Sequence, residues 1–142
     1  MKRVSIIAIF IIATLLICVS FAFAEDFEEP AIDPGNADYV ETRLVTTQLT
    51  KDNGYAVCDT NVELKSSSSV NKMVVTVKYI KQSVGIVGTR TATAYRSGVS
   101  LSATTKMALT SSGTYHCKVT IKLYNGSTLL ETINVITNSV TY

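Results

Sequence analysis

Two patterns of apolar residues divide the chain. Val4 to Phe23 is a run of twenty residues without a charge, set behind the basic start Met1-Lys2-Arg3. Ala22-Phe23-Ala24 ends it with small residues at the two positions that a signal peptidase reads, and Glu25 opens a polar stretch. This layout predicts a cleaved secretory signal over residues 1–24. An uncleaved anchor is the alternative, because about 18 apolar residues suffice to cross a bilayer. Leu16 and Ile17 ahead of Cys18 are too large for lipoprotein processing. From Thr42 onward the apolar residues alternate with polar ones instead of running together, and the segment is rich in Thr, Val, Ile and Tyr.

Alternation with a period of two places successive side chains on opposite faces of a strand, one buried and one wet. It is clearest over Thr114–Tyr124, where Tyr115, Cys117, Val119, Ile121 and Leu123 share one face and His116, Lys118, Thr120, Lys122 and Tyr124 the other. Val99–Leu109 and Tyr55–Leu64 alternate in the same way, the latter with Ala56, Cys58, Thr60, Val62 and Leu64 inward. Met73–Ile80 is more apolar and predicts a central strand. Leu44–Leu49, Thr89–Tyr95 and Leu129–Thr141 complete a set of seven strands separated by Gly, Asn and Ser clusters. No segment carries helical spacing.

Asn125-Gly126 marks the tip of the last hairpin. A two-residue loop there would set inward Cys117 opposite Asn134. A three-residue loop through Ser127 sets Cys117 opposite Val135 and Val119 opposite Ile133, with Glu131 opposite Ile121. The second register suits the buried face better.

Charge is unevenly spread. Residues 25–41 hold seven acids and no base, with Pro30, Pro34 and Gly35, and read as an acidic flexible leader. Residues 42–142 hold eleven bases and four acids, a net of +7. Removal of the signal takes away Lys2 and Arg3 and leaves the mature chain near neutrality. Removal of Cys18 leaves Cys58 and Cys117. An even cysteine count in an exported chain predicts a disulfide, with two free thiols as the alternative. The two point inward from the second and sixth strands, 59 positions apart. Closing such a loop stabilises a fold by about 4 kcal/mol in the chain-entropy picture.

Around the second cysteine, Leu109-Thr-Ser-Ser-Gly113-Thr-Tyr115-His-Cys117 resembles the signature of immunoglobulin domains, with Leu, Gly, Tyr and Cys at the family spacing. The resemblance implies an all-β, two-sheet antiparallel immunoglobulin-like sandwich of about seven strands over residues 42–142, with Cys58–Cys117 as the bridge between the sheets. It also implies a tyrosine corner at Tyr115, its hydroxyl bonded to backbone just upstream. Ser111 stands where the family usually has Asp. The chain has no Trp, so Met73 or Val75 is expected to fill the space beside the cysteines. In overall style the chain is also similar to small exported proteins of Gram-positive bacteria, a resemblance that carries no assigned activity.

Catalytic chemistry finds little material. His116 is the single histidine, on an outward face beside lysines, and no G-x-S-x-G elbow occurs. One histidine and a cysteine pair do not make a closed zinc set, and the acids of the leader lack calcium-loop spacing. No cofactor is implied. Binding is better served: Lys72, Lys78, Lys118 and Lys122 fall on outward faces and predict a basic surface for an anionic envelope polymer or glycan. Tyr124, with Tyr55 and Tyr95, could stack on sugar rings. The expectation is a non-catalytic, secreted or envelope-associated binding or adhesion module with no nucleic-acid partner and no membrane span after signal cleavage. The alternative is a secreted structural or effector protein that binds another exported protein.

Overall fold

The structure is a computed structural model and describes residues 39–142. The signal segment expected at 1–24 and the leader positions 25–38 lie outside the described residues. The described residues form antiparallel strands and no helix: β1 (Thr42–Asp52), β2 (Tyr55–Leu64), β3 (Lys72–Lys81), β4 (Gly85–Tyr95), β5 (Ser100–Ala108), β6 (Thr114–Asn125), β7 (Thr128–Ile136) and the short β8 (Val140–Thr141). They make two sheets, one in the order β1-β2-β5 and the other β4-β3-β6-β7, with β8 paired to β6.

The alternation seen in the sequence is what builds the core. Cys58, Val62 and Leu64 from β2, Met73, Val75, Val77 and Tyr79 from β3, and Cys117, Val119, Ile121 and Leu123 from β6 are all at most 2% exposed. Each buried aliphatic side chain of this kind contributes about 1.5–3 kcal/mol. β3 and β6 are the inner strands of their sheet and β2 of the other, so the longest apolar patterns occupy the positions with neighbours on both sides. β4 starts at Gly85, four residues before the sequence pattern suggests, because Gly85, Ile86 and Val87 are not alternating. A bulge beside Tyr79 and Ile80 accommodates the extra residue there.

Two Asn-Gly pairs resolve differently. Asn53 and Gly54 both have positive φ, 46° and 81°, and join β1 to β2 as a two-residue loop of the type I′ kind, whose twist matches the strands it connects. In Asn125-Gly126 the asparagine belongs to the strand and pairs with Thr128, so Gly126 and Ser127 form the loop. Gly126 alone has positive φ, 60°, as a type II′ turn requires at its first central residue. A bulge after Leu123 then shifts the ladder once more. The resulting register pairs Val119 with Val135 and Ile121 with Ile133. This corrects the expected register by two residues on β7: the inward face is the same, but Glu131 stands opposite Leu123 and not Ile121.

That displacement gives Glu131 a use. Its side chain points toward the other sheet, where Oε1 accepts the Val40 amide at 2.8 Å and Oε2 accepts the Thr42 hydroxyl at 2.8 Å. The last residues of the acidic leader are thereby tied to the sandwich. Glu41 contributes too, its carbonyl accepting the Lys65 amide and its carboxylate the Ser69 amide. Lys65 Nζ donates to the Tyr39 carbonyl.

The expected final strand is broken in two. Between β7 and β8, Thr137 exchanges bonds with Cys117, its amide donating to the Cys117 carbonyl and its hydroxyl accepting the Cys117 amide. Asn138 leaves the ladder and turns its amide onto β1, accepting the Leu49 N–H at 2.8 Å and donating to the Leu49 carbonyl at 2.9 Å.

Replacing Glu131 with Ala leaves the Val40 amide and the nearly buried Thr42 hydroxyl without their partner. The unfolding free energy should fall by about 1–3 kcal/mol, read from denaturant titration. An unchanged midpoint would mean that this link does not hold the first strand.

Candidate functional site

The outer face of the sheet β4-β3-β6-β7 collects the lysines singled out in the sequence. The β3–β6 register sets Lys72 opposite Tyr124, Val74 opposite Lys122, Thr76 opposite Thr120, and Lys78 opposite Lys118. On the other side of β3, Lys72 pairs with Tyr95, so a Tyr95–Lys72–Tyr124 row crosses three strands. Lys72 Nζ lies 4.8 Å from the centre of the Tyr124 ring, within cation–π range. Tyr55, the third outward tyrosine, belongs to β2 in the other sheet. Lys78 lies six positions along β3 from Lys72, a span of about 20 Å. Between these basic ends the face carries hydroxyls and amides: Thr76, Thr91, Thr93, Thr120, Thr132 and Asn134. Thr120 donates to Asn134 Oδ1 at 2.8 Å.

Charge is distributed one-sidedly on this face. Of β3, β4, β6 and β7 only β7 contains an acid, Glu131, and it is engaged toward β1. The opposite sheet is mixed, with Asp59 and Glu63 against Lys106 and Arg43; Arg43 and Glu63 form an ion pair at 3.0 Å. His116 faces outward opposite Ile80. Its partial burial, followed by the nearby Lys118 charge, holds its pKa below the ordinary 6.5, so it is neutral at pH 7. The face thus offers ammonium donors, hydroxyls and two aromatic rings.

Behind this face lies a buried polar layer. Cys117 on β6 pairs with Tyr79 on β3, and Cys58 on β2 pairs with Thr105 on β5. Across the sheets, Tyr79 Oη and Thr105 Oγ1 are 2.8 Å apart, and the two cysteines lie within hydrogen-bonding reach of each other. Both cysteines are free thiols in this structure, which departs from the expected disulfide. The bond to Cys58 and then burial push the Cys117 thiol well up, while burial pushes the Tyr79 phenol to about 12. Cys117 and Tyr79 are therefore protonated at neutral pH. Tyr79, and not Met73 or Val75, fills the space beside the cysteines. Met73 and Val75 sit opposite Leu123 and Ile121, farther along the core. The parity of the β3 run places Tyr79 inward with Met73, Val75 and Val77, so the signal was present in the alternation.

Tyr115 turns its ring under the loop ahead of β6. Its hydroxyl donates to the Ser111 carbonyl at 2.5 Å and lies 3.3 Å from Ser111 Oγ. Lys81 Nζ donates to that same Ser111 Oγ at 2.9 Å and lies 5.9 Å from the centre of the Tyr115 ring. A cavity of about 280 Å³ opens beside Tyr115, lined also by Val87, Arg90 and Met107. Its lining contains no acid, histidine or thiol.

Converting Tyr79 to Phe removes the hydroxyl and leaves buried Thr105 without its partner, and should cost about 1–3 kcal/mol. Adding Thr105→Val to that variant removes both polar groups and should restore much of the loss. Equal destabilisation by the single and double variants, measured by thermal melts, would contradict a coupled inter-sheet bond.

No protein-family model matches the chain, and a search of curated proteins returned no match.

Proposed function

We propose that this chain is an exported, non-catalytic binding module. Its immunoglobulin-like sandwich presents the outer face of β3, β4, β6 and β7 to an anionic envelope polymer or acidic glycan. The observation that carries the reading is that β3, β4 and β6 contain no acid and set Lys72, Lys78 and Lys122 on one surface beside Tyr95 and Tyr124. Lysines at both ends of the face can meet charges spaced along a chain, and the Tyr95–Lys72–Tyr124 row can hold a ring between aromatic and cationic groups.

The immunoglobulin-like part of the proposal draws on four features. The third, sixth and seventh strands share one sheet and the first, second and fifth the other. The cysteines stand on the second and sixth strands, facing each other. Tyr115, two residues before Cys117, bonds the Ser111 carbonyl as a tyrosine corner does. Tyr79 on the third strand occupies the place beside the cysteines that the family gives to Trp. The fourth strand pairs with the third, whereas constant-type domains place it beside the fifth. In this reading Cys58 and Cys117 are oxidised to a disulfide as the protein folds outside the cell. Both are fully buried once the sheets close, which shuts out an oxidant, so bond formation precedes closure.

Sedimentation of the released protein with purified cell walls across a salt series tests the binding. Strong binding at low salt should disappear at high salt, because screening weakens contacts between exposed charges. Changing Lys78 and Lys122, both exposed, to Glu should weaken low-salt binding about tenfold or more with an unchanged melting temperature. Absence of binding at every salt concentration rejects the polymer. Capture of another exported protein that resists salt would favour the alternative of a protein-binding effector.

The disulfide has its own test. The intact mass of protein collected from an oxidising compartment should be lower by two hydrogens, and no thiol should react after denaturation without reductant. Two reactive thiols on denaturation would reject the bridge.

A further inference from the structure

β4 is an edge strand whose residues, apart from Gly88, Ala92 and Ala94, are exposed. Such an edge offers unpaired backbone donors and acceptors to any extended chain. Proteins usually blunt it with proline, lysine, a bulge or a covering segment. The edge of β1 is covered in that way, by the Asn138 amide on both backbone groups of Leu49. β4 has no proline and no lysine, and its one bulge lies at the hairpin end, leaving Gly88 to Tyr95 regular.

The side chains along β4 indicate what covers it. Exposed apolar residues gather at both ends: Val84, Ile86 and Val87 (66%, 59% and 40% exposed) by the hairpin, and Tyr95 and Val99 (73% and 46%) at the far end. Between them runs Thr89-Arg90-Thr91-Ala92-Thr93, with a single charge. A strand that is apolar at both ends, with its one charge placed off the centre, is complementary to itself when reversed.

We propose that a second copy of this chain pairs antiparallel along β4, about a two-fold axis at Thr91. The arrangement lays the Ile86 end of each strand beside the Tyr95 end of the other, so one isologous contact covers all four apolar ends. In that register Thr89 meets Thr93 of the second copy, Arg90 meets Ala92, and Gly88 meets Ala94. Threonine pairs are favourable across a ladder, and each arginine faces a small residue. Moving the axis to Arg90 would set the two guanidinium groups directly opposite each other, which is unfavourable. The two five-stranded sheets become one sheet of ten strands. Their lysine faces become continuous, because Thr89, Thr91 and Thr93 lie on the same outer face as Lys72 and Lys78. The pairing stands independently of what that face binds.

Sedimentation equilibrium of the purified protein, from low micromolar to millimolar concentration, should show a reversible monomer–dimer equilibrium. Thr91→Lys puts like charges across the axis on an exposed position. It should weaken dimerisation about tenfold or more without changing the melting temperature. Under a mild oxidant Thr91→Cys should give a covalent dimer much faster than Thr93→Cys, whose counterpart in the second copy is Thr89. A chain that stays monomeric throughout, with equally slow cross-linking of the two cysteine variants, would overturn the proposal. Such an edge would then be bare or kept for another protein. A dimer insensitive to Thr91→Lys would overturn it as well, by placing the contact elsewhere.

Discussion

The two sheets share no ladder, so everything this molecule presents depends on side chains that span the gap between them. At its centre is the layer of Cys58, Thr105, Tyr79 and Cys117, contributed by four strands of both sheets. The Tyr79–Thr105 bond satisfies two hydroxyls that would otherwise be buried without partners. A buried hydroxyl has few acceptable neighbours, so this bond selects one alignment of the sheets among those that apolar packing alone would permit. Purely aliphatic contacts between the sheets tolerate sliding; a hydroxyl pair at 2.8 Å does not.

Around this layer the sandwich is fastened at its margins by polar side chains that reach from one sheet to the backbone of the other. Glu131 holds the start of β1, and Asn138 holds its middle. Each comes from an irregularity in the last hairpin: the bulge after Leu123 sets the register of Glu131, and the break after Ile136 releases Asn138. Departures from ideal pairing thus perform the closure that a perfect ladder could not. Arg96 works similarly at one end, donating to the carbonyls of Ser68, Val70 and Gly98 and joining two loops.

This rigid frame is what makes a flat basic face possible. Lysines on a mobile loop would spread under their own repulsion. On β3 and β6 the backbone holds Lys78 opposite Lys118, with Lys72 at the other end of β3, and the arrangement persists because the inward residues between them are packed on the core. Like charges facing each other cost stability, so this pairing is held by the ladder and the packed core behind it. The edge of β4 borders the same face, so the proposed self-pairing would extend it.

Much of this was legible in the residues alone. Period-two alternation located the strands and their inward faces to within a few positions, because burial on one side of a pleated strand leaves a direct mark on composition. It placed Lys72, Lys78, Lys118 and Lys122 outward. The sequence alone also showed the excess of bases beyond Thr42. Register and partnership were decided elsewhere. Parity is unchanged by a shift of two residues, so the β6–β7 ladder could not be told from the neighbouring alternatives until the turn at Gly126-Ser127 and the bulge were known. That Tyr95 and Tyr124 flank Lys72 while Tyr55 lies on the other sheet is a property of strand order, which local pattern does not encode. Contacts across the gap, Tyr79 with Thr105 and Glu131 with Thr42, join residues 26 and 89 positions apart, and only the closed sandwich brings them together.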